Sequence, residues 1–175
     1  MDATSYTITR LTDDLDLDEV AAVEAASFTR PWTRDMLARD LQSSEVSRLY
    51  VLRIDGQGIV AFCTCWLIPP ELHINKVAVK APARRRGLGT ALMRFVLAAS
   101  AAAGAERATL EVRRSNVAAL RLYEHFGFAV AAVRPNYYSD PEEDGLILWC
   151  DNLDEGDNPG CASSGLPPGT SDPSP

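Results

Sequence analysis

The sequence is poor in histidine, with two residues in 175, and its four cysteines include no Cys-x-x-Cys pair. Cys63, Cys65, Cys150 and Cys161 have only His73 and His125 for company, so zinc-ligand spacing is absent and no metal site is expected. Cys63 and Cys65 stand two apart in a strand-like run, on one face and poorly placed to bridge, and read as small core residues. Long apolar runs are also missing. Met1-Asp2-Ala3-Thr4-Ser5 has no apolar signal core, and the most apolar helical stretch, Phe95 to Ala105, is short and interrupted by Ser100 and Gly104. Neither an export signal nor a membrane span is expected, which points to a cytoplasmic protein. Positive charge is outweighed, 17 Lys and Arg against 24 Asp and Glu. A net charge of −7 argues against a nucleic-acid or anionic-membrane partner.

That charge is unevenly placed. Asp151, Asp154, Glu155, Asp157 and Asp172 have no Lys or Arg beside them, so residues 151–175 hold five of the seven net negative charges. The same segment holds five of the eleven prolines and four of the eleven glycines. It has too little apolar area to offset chain entropy, and a disordered acidic tail is expected. Such a tail could bind a basic partner or be a solvated extension with no role of its own. Residues 1–150, nearly neutral and rich in apolar residues, are long enough to bury a core as one domain.

Periodicity supplies the elements. Tyr6 to Leu11 alternates as an edge strand, and Asp16 to Phe28 repeats apolar residues at helical spacing behind an acidic start. Thr33 is placed to cap a helix from Arg34 to about Leu41. Arg48 to Ile54 and Ile59 to Ile68 flank Asp55-Gly56-Gln57-Gly58, a hairpin signal. Leu72 to Val79 reads as a strand, Thr90 to Ala103 as a helix stopped by Gly104, and Ala108 to Val112 as a strand. Asn116 to His125 reads as a short helix, and Phe128 to Val133 with Gly145 to Trp149 as a strand pair around a polar loop. The fold class is therefore α/β (α+β) with mixed strand directions, since hairpins are antiparallel and β-α-β crossovers parallel.

The segment Arg84-Arg85-Arg86-Gly87-Leu88-Gly89-Thr90 lies between a strand and a helix. Two glycines admit a ligand close to the backbone, and the first-turn amides of the helix have no intrahelical partner. Together they suit an anion such as a pyrophosphate. The pattern is neither a Walker loop nor the Gly-x-Gly-x-x-Gly of dinucleotide domains. Taken alone, it is equally a tight turn carrying solvated arginines.

Three further segments add context: Leu110-Glu111-Val112-Arg113-Arg114-Ser115-Asn116, then Leu122-Tyr123-Glu124-His125-Phe126-Gly127-Phe128, then Arg134-Pro135-Asn136-Tyr137-Tyr138. With Phe28-Thr29-Arg30-Pro31-Trp32 upstream, the chain from Tyr6 to Cys150 resembles the GNAT acetyltransferases, and among them the RimI-like N-terminal acetyltransferases. The resemblance implies the GNAT fold and acetyl-CoA as cosubstrate. It implies a protein N-terminus as substrate, an N-terminal alanine of a small-subunit ribosomal protein, and a monomer is the expectation. It further implies Glu111 as general base and Tyr123 as proton donor. Val77, Ala78 and Val79 would line the thioester, Arg84, Arg85, Arg86, Gly87, Leu88, Gly89 and Thr90 the pyrophosphate, and Asn116 would contact the cosubstrate. Lys80-Ala81-Pro82-Ala83 departs from the Asp-Pro and aromatic residue that the family often carries there.

The chemistry agrees with those residue types. An α-amine has a pKa near ~7.7–8.0 and is roughly a tenth neutral at pH 7, so it asks little of a carboxylate base. No cysteine stands where a nucleophile is needed, so direct attack by the amine is expected. From alternation alone, however, Glu111 is the solvent-facing partner of Leu110 and Val112, and Tyr123 is a core residue at helical spacing with Leu120. His73 reads as a second candidate base or as an ordinary surface or core imidazole. Arg113 and Arg114 read equally as phosphate ligands or solvated charges. Phe28, Trp32, Tyr137 and Tyr138, in or beside loops, are aromatics of the kind that wall a peptide slot. Glu142, Glu143 and Asp144 would attract a basic peptide or form an ordinary acidic turn. Two other activities fit the pattern: acetylation of internal lysines or small amines, and binding of acetyl-CoA without catalysis.

Overall fold

A computed structural model describes residues 5–43 and 45–153. The expected disordered tail lies, from residue 154 on and with Cys161, outside the described residues. Seven strands form one sheet: β1 (Tyr6–Leu11), β2 (Ser47–Ile54), β3 (Gly58–Ile68), β4 (Glu71–Val79), β5 (Arg107–Arg113), β6 (Ala129–Ser139) and β7 (Glu142–Cys150). Four helices accompany them: α1 (Leu17–Ser27), α2 (Arg34–Ser43), α3 (Leu88–Ala102) and α4 (Val117–His125). The spatial order is β1-β2-β3-β4-β5-β7-β6. Among the described strands only β4 and β5 pair in parallel, across the crossover that contains α3.

Helices cover both faces of the sheet. On one, α3 and α4 bury Leu92, Met93, Val96 and Tyr123 against Leu52, Leu72, Leu110 and Val112. On the other, α1 and α2 bury Leu17, Val20, Val23 and Leu37 against Val51, Ile59, Phe62 and Ala78. Central β3 is accordingly apolar at successive positions rather than at alternate ones, as a strand covered on both faces must be. Cys63 and Cys65 are free and buried in the α3-side core. Among the described residues no helix is long and apolar enough to cross a membrane.

Local chemistry sets several boundaries. Thr33 Oγ1 accepts from Met36 N–H at 3.3 Å and caps α2, which runs two residues past Leu41. Gly56, at φ +74°, turns the hairpin between β2 and β3. Helix α3 begins at Leu88, two residues earlier than periodicity suggests, because Gly87 takes a left-handed conformation and reverses the chain in front of it.

The end of the sheet corrects the sequence reading. The polar segment expected as a loop after Val133 is strand: β6 continues to Ser139 and β7 starts at Glu142. The register breaks between Arg134 and Tyr138, so Pro135 and Asn136 are taken up as an irregularity instead of ending the pairing. Asn136 N–H is satisfied by Asp144 Oδ1 at 3.1 Å. Tyr137 and Tyr138 therefore sit on a strand, not a loop.

Candidate active site

Strands β4 and β5 pair only from Glu71 to Ile74 and from Arg107 to Leu110. Beyond that they separate. β4 carries a bulge between its Ile74–Cys65 and Lys76–Thr64 pairs and stays with β3, while Glu111 to Arg113 follow β7. Lys80 N–H donates to the Val60 carbonyl at 2.8 Å. Backbone groups of successive strand residues face opposite edges, so those of Val77 and Val79 face the gap. The Val79 carbonyl there accepts from Arg84 Nε at 2.8 Å. Immediately after the gap, Arg84 to Gly87 are exposed, and Leu88, Gly89 and Thr90 form the first turn of α3. No side chain caps that turn, so its amides are available to an anion. The Leu88 side chain itself is core.

Glu111 lies on β5 on the face away from Leu110 and Val112, in a groove of about 610 Å³. The groove spans the strand divergence, with Ile74 and Lys76 on one side and Leu110 and Glu111 on the other. Trp32, Tyr137 and Tyr138 wall it. Arg134 Nη1 meets Glu111 Oε1 at 3.1 Å. Hydrogen bonding to Glu111 is the chief cause that raises the Tyr137 hydroxyl above its ordinary pKa, with burial second. Tyr123 projects from α4 into the core beneath β5, tilted against Phe128 at 5.9 Å between ring centroids. Burial, then Cys63 and Tyr138, push its pKa well above the ordinary phenol value. Tyr138 is raised by burial and then by Glu111.

The acetyltransferase (GNAT) family matches residues 17–128. The chain belongs to this family. It is 37% identical over 134 residues to a putative [ribosomal protein bS18]-alanine N-acetyltransferase of Bacillus subtilis, covering 77% of this chain and 88% of the relative. It is 32% identical over 136 residues to the [ribosomal protein bS18]-alanine N-acetyltransferase of Escherichia coli K12, covering 76% and 89%. The crystal structure of the ribosomal-protein-S18-alanine N-acetyltransferase from E. coli superposes with a TM-score of 0.75 at 31% identity, over 83% of this chain and 92% of that one.

As a GNAT enzyme the protein is an acetyltransferase, and the family takes its acetyl group from acetyl-CoA. The residues present suit such a group. An uncapped helix start behind a left-handed glycine, flanked by arginines, offers donors to phosphate, and the edge that β5 leaves at Val77 and Val79, where only the Val79 carbonyl is engaged by Arg84, offers backbone groups to an amide-bearing arm.

Other side chains are committed elsewhere. Asn116 Oδ1 caps α4 by accepting from Ala119 N–H at 3.2 Å. Arg113 pairs with Glu143 at 3.0 Å and lies over Tyr138, and Arg114 pairs with Asp144 at 3.1 Å. These pairs occupy Glu143 and Asp144, which lie on β7 and not in the expected acidic turn, and so count against a peptide attractor. His73 Nε2 meets Glu71 Oε2 at 2.9 Å at the far end of the groove.

Behind the wall of the GNAT groove lies an ion pair that sequence reasoning passed over, of which only Lys76 lines the groove itself. Glu24, fully buried on α1, accepts from Trp32 N–H at 2.7 Å and pairs with Lys76 Nζ on the same oxygen. The Lys76 ammonium lies 4.7 Å from the Phe28 ring centroid and 4.9 Å from that of Trp32. Phe28 and Trp32 are thus fixed to β4 by one cation. A Glu inside an apolar helical repeat was the available signal, but its partner is 52 residues away.

Proposed function

We propose that the protein acetylates the N-terminal α-amino group of a protein, an N-terminal alanine of a small-subunit ribosomal protein, by direct amine attack in a ternary complex. A carboxylate at the mouth of the β4–β5 gap, inside an aromatic-walled groove, carries this reading. The names of the bacterial relatives support the ribosomal substrate, and a cytoplasmic location accords with it. Glu111, Tyr123 and the 84–90 loop come from one chain, so a monomer holds the full set.

Acetyl-CoA, when bound, supplies an activated acetyl thioester. Val77 and Val79 pair with its arm, and their amides polarise the carbonyl. Arg84, Arg85, Arg86 and the amides of Gly87, Leu88, Gly89 and Thr90 hold the pyrophosphate, and Asn116 contacts the cosubstrate with the amide nitrogen that its capping role leaves over. Phe28, Trp32, Tyr137 and Tyr138 orient the peptide amine toward Glu111, which accepts its proton directly or through a water. Tyr123 stays protonated at neutral pH because burial disfavours its phenolate, and so presents a donor to the sulfur. A thiolate in the same low-dielectric gap has its proton affinity raised as well, which keeps donation from Tyr123 feasible.

A panel of peptides with a free N-terminus, a blocked N-terminus, or only a lysine amine tests the proposal. Acetylation of the free N-terminus alone is expected. Turnover confined to lysine or small amines, or cosubstrate binding without turnover, refutes it. Mass spectrometry of small-subunit ribosomal proteins from cells with and without the enzyme tests the substrate, and an unchanged set of N-termini removes it.

A further inference from the structure

The groove does not end at Glu111. Two residues back along β5, cross-strand pairing sets Trp66, His73, Thr109 and Trp149 in one row, each opposite the next across β3, β4, β5 and β7. All four line the same groove as Glu111. This row forms a shelf continuous with the catalytic end.

The aromatics of the groove follow a pattern. Lys76 lies over Trp32, Arg134 over Tyr137, Arg113 over Tyr138 and Arg107 over Trp149, at 4.2 to 5.3 Å from the ring centroids. Trp66 departs from it: among the described residues no cation lies over its ring, which is 39% exposed. The indole is nevertheless fixed, since Nε1 donates to Asp40 Oδ1 at 3.1 Å, and Asp40 Oδ2 accepts from Ser47 Oγ at 2.6 Å. The shelf also carries Glu71, which binds His73 and Arg107. Glu71 is thus engaged by its own partners, and Asp40 serves to hold the indole. A pinned, open indole face, in a groove where the other aromatics each lie under a cation, suits a cation brought by a ligand.

We infer that Trp66 is a subsite for a basic side chain of the substrate, a few residues beyond the acetylated amine. Trp66 lies two strand spacings from β5 and two residues back from Glu111, about 12 Å in all at ~4.8 Å per strand and ~3.4 Å per residue. An extended peptide covers that distance in three to four residues, so the third and fourth positions reach the shelf. The inference rests on the peptide-amine reading above and adds a sequence preference to it.

The test uses peptides with the same first two residues and Arg, Gln or Glu at positions three and four. Each is compared through kcat/KM in the wild type, Trp66→Ala and Trp66→Phe. The wild type should favour Arg over Gln by about two- to fivefold, the range of one exposed cation–π contact, and Glu should rank last. Trp66→Ala should bring the Arg-to-Gln ratio close to one, and Trp66→Phe should keep most of it. Because the ratio is taken within each variant, a change in overall activity does not distort it. Turnover without an Arg preference in the wild type, or an unchanged ratio in Trp66→Ala, overturns the subsite and leaves the peptide reading intact. No turnover on any free-amine peptide refutes that reading and the subsite with it.

Discussion

Replacing Lys76 by methionine keeps the length of the side chain and deletes its charge. Glu24 is then left fully buried with Trp32 N–H as its remaining partner, on an oxygen beside a second oxygen that already has none. Removing one partner of a buried pair typically costs about 3–5 kcal/mol, because the surviving charge cannot reach water. The Lys76 side chain is 15% exposed, so the lower end, about 3 kcal/mol, is expected. For a domain of this size that lowers Tm by roughly 6–12 °C. The change also removes the cation between Phe28 and Trp32, so the peptide KM should rise while the acetyl-CoA KM holds. Glu24→Gln combined with Lys76→Met should recover much of the stability, since the Gln carbonyl still accepts from Trp32 and no buried charge remains. Thermal unfolding of the two single variants and the double variant measures the coupling. A loss below about 1 kcal/mol for Lys76→Met, the scale of a surface pair, would refute a buried, wall-organising ion pair.

Glu111→Gln and Tyr123→Phe should each lower kcat by about 10²–10⁴-fold with little change in acetyl-CoA affinity, read by steady-state kinetics and calorimetry; near-normal rates in both would sink the assigned roles. Gly87→Val has open space for its side chain but must keep φ near +76°, at a cost of about 1–2 kcal/mol. Its main effect should be a higher acetyl-CoA KM with an intact fold by circular dichroism. Glu71 is held below its ordinary pKa by Arg107 first, and Glu143, despite opposing burial, by Arg113 and Ser115. A depressed folded pKa stabilises above the unfolded value, so this contribution is present at neutral pH and is lost as pH falls through the carboxylate range. Arg107→Met and Arg113→Met should therefore flatten the acid limb of the stability curve, and an acid limb identical to the wild type would show that these pairs contribute nothing.

Features carried by neighbours in sequence are legible in the order of residues alone. The spacing of apolar residues places the helices and the strands up to β5 near their observed positions and finds the cores of β6 and β7. Thr33 marks the start of α2, and the glycines of Arg84 to Thr90 mark the turn that leads into α3. Where neighbours in sequence mislead, at Arg134 to Tyr138, polar and turn-forming types suggest a loop. Pairing with β7 overrides them, because a strand partner satisfies the backbone and an irregularity accommodates Pro135 and Asn136.

The sequence by itself determined the family, the order of elements and the residue types needed for acyl transfer, since each is written in short segments or in periodicity. Tertiary structure alone decided where β4 and β5 part and how Lys76 fixes Phe28 and Trp32 through Glu24. It alone also set Trp66 in the same groove as Glu111. Those relations join residues tens of positions apart, and only strand register and burial, which the folded chain as a whole settles, bring them within contact distance.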